Sequence, residues 1–537
     1  MTTSTQRVIE GVAGPGSIGR VAIGDILRRT AQRHPDRAAI VEGDRCTTYA
    51  MLDDAANRYA NFLLAQGLTT GDKVGCICAN STDFMPVIFG IHKAGLVWVP
   101  ANAMLAAEDI DYILHHAGVG HVVVDDVLAA QPAMAAMLAA LGVPMTVISV
   151  SGSGIAAGAL PGTGFADAIA SQPATEPVVE IDERELALIM YTSGTTSRPK
   201  GVMHCHLSVV MAAMSNAIEW RIGREDGVTA VLPMFHCAQH SVMLTGVLAG
   251  AKMLLMRGFD PAALIEGMAA EKINIMVGLP LMYRAVLDHP SRKQRDINLR
   301  MCVYAMAPMP EPLMTRLVNE LCPDFRLSSG QTEMYPSTVM SRPDRALARF
   351  GNYWGESNVV NDTAIMDDDG NILPRGTIGE IVHRGPNVML GYYKQPEATT
   401  AARLHGWHHT GDLGLIDHHG ELLFLDRKKD MIKSGGENVP SIKIEEVLLG
   451  HPDVQNAVVV GLPHARWGEA VTAFLVPKPD TDPTEDSILE HCRKHLGGFE
   501  MPKLVIFLEE MPMTVTGKIR KTELRTKFAD HFETATT

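Results

Sequence analysis

The sequence has no CxxC pair: its eight cysteines, at 46, 76, 78, 205, 237, 302, 322 and 492, are scattered. That spacing argues against a disulfide framework and fits unpaired, buried thiols in a reducing compartment. Positive charge is in deficit, with 47 Lys and Arg against 61 Asp and Glu and a net charge of −14. A general nucleic-acid surface is thereby excluded, and any phosphate ligand must be held by local positive groups. An apolar leader is lacking too, since nothing hydrophobic backs Met1–Arg7. A cytoplasmic protein is expected.

No long hydrophobic run survives inspection. Residues 127–166 carry no charge, but Pro132, Gly142 and Pro144 punctuate them. A membrane-spanning helix needs about 20 continuous apolar residues, so we read a short helix over 133–141 and a buried strand over 145–150. The glycines at 152, 154 and 158 mimic a dinucleotide turn, yet no clear helix follows before Pro161, and a loop is expected. Cys76 and Cys78 share one face of a strand over 74–79, which suits core packing. His204, Cys205, His206, His236, Cys237 and His240 have the residue types of a zinc cluster, but no acidic group or second Cys pair completes a tetrahedral pattern.

What is present is a long, ordinary globular chain. Its 537 residues exceed one core, so two or more domains are expected. From 24 to 180 helical patterns alternate with short apolar strands: helix over 26–33, strand 38–41, helix 48–66, strand 73–79, helix 84–94, strand 97–99, helix 107–117 and strand 122–124. The alternation resumes from 186 to 340, with a strand over 186–190, helix 207–218, strand 228–231, helix 238–248 and strand 252–255. Such alternation predicts mostly parallel, helix-covered sheets. Beyond 355 short β segments with Asp-Gly-type turns predict a small barrel-like unit. The charged run Asp426–Asp430 precedes a last mixed unit with helices over 444–449 and 488–495 and strands over 456–460, 470–475 and 504–507. A charged run is usually a solvated linker; this one separates two compositionally different units and reads as a hinge. The expected fold is α/β. A large N-terminal domain (1–425) has two helix-covered sheets and the barrel-like unit. A hinge (426–430) leads to a small mobile α+β C-terminal domain (431–537).

One stretch carries most of the chemistry. Tyr191-Thr-Ser-Gly-Thr-Thr-Ser-Arg-Pro-Lys200-Gly201 packs two glycines, five Ser/Thr hydroxyls, Arg198 and Lys200 behind the apolar segment 186–190. Glycines let backbone N–H groups close on an anion, hydroxyls add donors, and the cations add charge. The loop is built to wrap polyphosphate, although its spacing is not that of the GxxxxGK nucleotide loop. The stretch resembles the phosphate-binding signature of the adenylate-forming enzymes: acyl-CoA synthetases, adenylation domains and luciferases. Ser197 stands where that signature has Gly.

The resemblance extends in order along residues 24–527. It implies that Thr192, Ser193, Gly194, Thr195, Thr196 and Lys200 bind the nucleotide phosphates. Gly330-Gln331-Thr332-Glu333, about 130 residues on, resembles the family's YGQTE element, with Ser329 in place of the Tyr. Glu333, with Thr192, would hold Mg²⁺, and Thr332 would lie near the α-phosphate. Ala305-Met306-Ala307-Pro308 is similar to the run beside adenine. Thr410-Gly411-Asp412 matches a ribose-binding element, where one carboxylate can accept both hydroxyls. Arg427 would assist it and Lys429 would be the pivot. Lys518, in a Gly-bounded loop near the C-terminus, would neutralise charge during adenylation. Lys433, Ser434, Gly435 and Gly436 would line the pantetheine path; Lys443 replaces the family's nearby Glu. His236, in Pro233-Met-Phe-His-Cys237, would gate the acid pocket, although a lone His is often core.

The implied enzyme is an ATP-dependent acid–CoA ligase using Mg²⁺ and working in two steps at one pocket, with Lys518, Glu333, His236 and Lys433 as the catalytic set. Sixteen of the thirty methionines lie between 203 and 340. Met fills irregular apolar space, and no cation is obviously placed for a second carboxylate. A medium- to long-chain fatty acid is the expected substrate, with an aryl or steroid-derived acid second. Loading of a carrier protein, a luciferase-like oxygenation and non-enzymatic nucleotide binding stay open. The expected partners are the small acid, ATP and CoA, without nucleic acid or a transmembrane segment; a homodimer is compatible.

Overall fold

The computed structural model describes residues 19–150, 162–192, 198–305, 309–345, 347–348, 352–513 and 519–534. Ser193, Gly194, Thr195, Thr196, Ser197, Met306, Ala307, Lys518 and the glycines at 152, 154 and 158 lie outside these residues.

Two large sheets face one another across a helical layer. The first has thirteen strands. Its parallel part runs Phe325–Gly330, Met301–Tyr304, Ile275–Gly278, Gly227–Ala230, Lys252–Leu255 and Ala38–Glu42. The barrel-like unit expected beyond 355 is realised as antiparallel strands that continue this sheet edge to edge: Ser337–Met340, Tyr353–Ser357, Leu422–Arg427, His408–Ile416, Gly379–Arg384 and Asp362–Met366.

The second sheet has eight strands, with Val97–Pro100, Lys73–Ile77 and His121–Asp125 at its centre. These three read as continuous apolar runs because helices cover both faces of the sheet. On one face Trp98, Leu188 and Val123 join a core shared with Val228, Met253 and Tyr283 of the first sheet's layer. On the other, Val97, Val99, Val122 and Ile189 pack with Ile110, Leu114 and Leu138. At one edge Lys200–Cys205 runs antiparallel to both Leu186–Thr192 and Gly391–Tyr392.

Helix Pro132–Leu141 has Pro at its first turn and Gly142 at its C-cap with φ +67°, the residues that best start and stop a helix. It buries Met134, Met137 and Leu138 and leads to the fully buried strand Met145–Ile148. Among the described residues no helix is long and apolar enough to cross a membrane. Most of the methionines are core as well: Met234, Met243, Met253, Met276 and Met301 are at most 1% exposed, against 39% for Met214.

From Ile432 a separate five-stranded sheet forms around Gly468–Pro477, which pairs with Val454–His464 and Leu504–Phe507. It has its own core of Ile444, Leu448, Val459, Val471 and Ile488. The junction is polar. Ser441 donates from N and Oγ to Asp426 Oδ2 at 2.5 and 2.6 Å, and Arg525 Nη1 pairs with Asp430 Oδ1 at 2.9 Å.

Candidate active site

The strands on either side of the stretch with the phosphate-binding resemblance form an antiparallel ladder. In this ladder Thr192 sits opposite Lys200 and Tyr191 opposite Gly201. A Cβ at Gly201 would lie 2.8 Å from Ile189 Cγ2, so no side chain fits there. Lys200 Nζ lies 4.9 Å from the centre of the Tyr392 ring, within cation–π range.

The segment Gly330–Glu333 leaves its strand through a tight turn. A Cβ on Gly330 would collide with Pro336 O at 1.4 Å; only Gly can occupy the position. The 3₁₀ turn Thr332–Met334 follows, ended by Tyr335 with φ +51°. Gln331 Nε2 donates to Thr410 O at 3.0 Å and to Asp412 Oδ2 at 3.1 Å, and its Oε1 is 3.2 Å from His408 Nε2. Thr332 O meets His204 Nε2 at 2.7 Å, and Thr332 Oγ1 lies 3.6 Å from Cys237 Sγ. Glu333 Oε1 accepts from Tyr392 Oη at 2.9 Å, and Glu333 O accepts from Met389 N at 2.8 Å.

Burial sets the protonation of this wall. It lowers His204 to about 4 and raises the Cys237 thiol to about 11, so both are neutral near pH 7. Burial also lowers His236, which stands at the N-terminus of the helix Cys237–Ala249 with Phe235 against its ring. The residues with zinc-like chemistry are spent elsewhere. His204 bonds Thr332, His206 Nδ1 lies 3.4 Å from Ile23 N, and His240 bonds Tyr335.

Asp412 and Arg427 face each other across adjacent strands, Arg427 Nε 3.7 Å from Asp412 Oδ1. The structure thus brings Thr192, Lys200, Gly330, Gln331, Thr332, Glu333, Asp412 and Arg427 into one connected array, with His236 beside Cys237. The loop of Lys433, Ser434, Gly435 and Gly436 belongs to the last sheet. There Lys433 N donates to Glu469 Oε2 at 2.7 Å and Gly435 N to Trp467 O at 2.8 Å. Gly435 and Gly436 have φ +62° and +92°, conformations that favour glycine. Lys443, unlike the family's Glu, pairs with Glu500 at 2.5 Å. Tyr392, His204, His408 and Cys237 complete the array; the sequence singles out His204 and Cys237 only for metal-like chemistry and Cys237 beside His236, and carries no sign of Tyr392 or His408.

Residues 27–393 match the AMP-binding enzyme family, and residues 443–518 match the AMP-binding enzyme C-terminal domain. A feruloyl-CoA synthase from Amycolatopsis sp is 33% identical over 502 residues, 93% of this chain and 98% of the relative. The long-chain-fatty-acid–CoA ligase FadD13 of Mycobacterium tuberculosis is 35% identical over 512 residues, 94% of this chain and 98% of the relative. The chain belongs to the AMP-binding enzyme family, as an acyl-CoA synthetase. ATP-bound MatB from Rhodopseudomonas palustris superposes on the synthetase with a TM-score of 0.84 at 28% identity, covering 95% of this chain and 99% of that one.

The array suits a hard cation shared with phosphates. Its donors are oxygens, from Glu333, Thr192 and Thr332, and Glu333 has one carboxylate oxygen beyond the Tyr392 bond. Mg²⁺ is typically held by one or two carboxylates plus substrate phosphates.

Proposed function

We propose that the synthetase joins a hydrophobic monocarboxylic acid, first a medium- to long-chain fatty acid, to CoA through an acyl-adenylate, consuming Mg-ATP. The observation that carries the reading is the single array linking Lys200, Glu333, Gln331 and Asp412, which suits triphosphate at one end and ribose at the other. Cys237 and His204, which meet Thr332, are neutral, and burial lowers His236 beside Cys237; these three lie where the acid would enter. They offer no cation to a second carboxylate.

In the first step the acid's carboxylate oxygen attacks the α-phosphorus and pyrophosphate leaves. Asp412 accepts the ribose hydroxyls, Lys200 attracts the phosphates, and Lys518 neutralises charge at the α-phosphate. Glu333 and Thr192 would hold Mg²⁺, which would supply further charge neutralisation at the phosphates. In the second step the CoA thiolate attacks the acyl carbonyl and AMP leaves.

The acceptor reading rests on the last sheet. Trp467, beside Gly435, carries Arg466 at 4.5 Å and Lys503 at 5.4 Å from its ring centre. An aromatic face with two cations suits a phosphorylated nucleotide such as CoA. Residues 426–430 serve as the hinge between 1–425 and 431–537. Lys428 is anchored to Asp368 and Glu380 on one side, Asp430 to Arg525 on the other, and Lys429 lies between. The aryl-acid reading is favoured by the relation to the feruloyl-CoA synthase.

The test is pyrophosphate release with Mg-ATP, with and without CoA, across short- to long-chain fatty acids and a set of aryl and steroid acids. A maximum at one fatty chain length, turning over only with CoA, supports the proposal. Preference for aryl or steroid acids replaces the substrate class. Single-turnover release that CoA does not accelerate points to a carrier-protein acceptor.

A further inference from the structure

Tyr392 touches both charged ends of the phosphate site. Its hydroxyl donates to Glu333 Oε1 at 2.9 Å, while Lys200 Nζ stands 4.9 Å from its ring centre. Glu333 and Lys200 are far from Tyr392 in sequence, so the fold alone makes this junction.

The backbone around Tyr392 is pinned to the same elements. Met389 N bonds Glu333 O at 2.8 Å, Leu390 N bonds Met203 O at 2.7 Å, and Tyr393 N bonds Gly201 O at 2.7 Å. Tyr392 N donates to Thr399 Oγ1 at 2.9 Å. Gly391 has φ +136°, and a Cβ there would sit 2.7 Å from Thr399 Cγ2. The ring is therefore fixed relative to both Glu333 and the strand bearing Lys200. A carboxylate has two oxygens, and a donor on Oε1 fixes its plane while leaving Oε2 for a cation. The ring face holds an ammonium without neutralising it, so Lys200 keeps its charge for phosphate.

We propose that Tyr392 is a positioning residue that orients Glu333 toward Mg²⁺ through its hydroxyl and Lys200 toward the nucleotide phosphates through its ring. The proposal rests on the reading that Glu333 holds the metal.

Two substitutions separate the two contacts. Tyr392→Phe removes the hydroxyl and keeps the ring; Tyr392→Leu removes both. The readouts are Mn²⁺ binding by EPR in the presence of α,β-methylene-ATP, and calorimetric binding of that nucleotide in EDTA. Losing a hydrogen bond to a charged group costs about tenfold. Tyr392→Phe is expected to weaken Mn²⁺ binding by about that factor while leaving metal-free nucleotide binding unchanged. Tyr392→Leu is expected to weaken both. Wild-type behaviour of both variants in both assays overturns the proposal. So does a Tyr392→Phe variant that loses metal-free binding as much as metal binding, because that pattern is general loosening. Glu333→Gln is the control on the parent reading. If it leaves Mn²⁺ binding intact, the metal assignment itself falls, and the role of Tyr392 falls with it.

Discussion

The hydroxyl of Tyr335 meets Nδ1 of His240 in the core beneath the Thr332–Met334 turn. Both side chains are fully buried. Tyr335 adopts φ +51°, a left-handed conformation that costs a bulky residue about 1–3 kcal/mol. Its ring also meets His204 edge-on at 5.2 Å, and His204 bonds Thr332 O. Two neutral histidines thus hold the chain on either side of Glu333. Tyr335→Phe would leave Nδ1 of His240 buried without a partner, a loss of about 1–3 kcal/mol. A lower denaturation midpoint in urea with unchanged slope is the expected result. An unchanged midpoint would show that the contact adds nothing to stability.

Acid should destabilise this protein through its buried histidines. Burial lowers His204 and His206 to about 4, His121 to about 4 and His240 to about 3. The unfolded chain protonates such groups near pH 6.5, whereas the folded chain does not until pH approaches their depressed values. Their contribution is present above about pH 6.5 and is lost as pH falls toward 4, by up to about 1.4 kcal/mol per pH unit for each linked histidine. Thermal melts from pH 8 to pH 4.5 should show a plateau and then a steep decline. His121→Gln, which can still bond Thr146, should reduce the slope by about one proton. A flat profile through pH 5 would contradict the buried, neutral assignment.

The elements legible in the sequence were those whose apolar pattern ends where the element ends. The helix over 107–117 and the strands over 252–255 and 504–507 are observed with those bounds. Polar ends were misjudged. The strand expected over 122–124 runs His121–Asp125, because His121 finds Thr146 Oγ1 in the core at 2.9 Å. The helix expected over 488–495 runs Glu485–Arg493, because Thr484 caps it by accepting from Ser487 N. The site divides the same way. Gln331, Glu333 and Asp412 stand in motifs, and the structure joins Gln331 to Asp412. Tyr392, Cys237 and His204 reach their partners across 59, 95 and 128 residues, distances at which only the sheet order brings groups together.

Asp412 gives a prediction specific to the nucleotide. Its side chain is 8% exposed, Gln331 donates to Oδ2, and Arg427 lies near Oδ1. Asp412→Asn keeps the size but loses the charge and part of the acceptor capacity. A charged hydrogen bond contributes about 1.5–3 kcal/mol, so the KM for ATP should rise by about tenfold or more. The KM for CoA should change little, because the proposed CoA surface around Trp467 lies on the other sheet. Equal rises for both substrates would move Asp412 out of the ribose role.

The hinge can be tested at one residue. Lys428 is tied to Asp368 at 2.6 Å and donates from its backbone to Gly411 O at 2.8 Å, which fixes it to the large body. Asp430 is tied to Arg525 at 2.9 Å, which fixes it to the smaller one. Lys429 lies between these two anchors, and on the proposed hinge reading rotation of one body against the other would be absorbed at its φ and ψ. Proline there holds φ near −65° and restricts the residue before it. Lys429→Pro should therefore spare whichever half-reaction matches the trapped arrangement and slow the other. Rapid-quench measurement of acyl-adenylate formation, and separately of thioester formation from added acyl-adenylate, should show one rate within about threefold of wild type and the other lowered at least about tenfold, which corresponds to a barrier increase of about 1.4 kcal/mol. If both rates fall together, or neither changes, residue 429 is not the pivot, and the two chemical steps do not depend on rotation at this position.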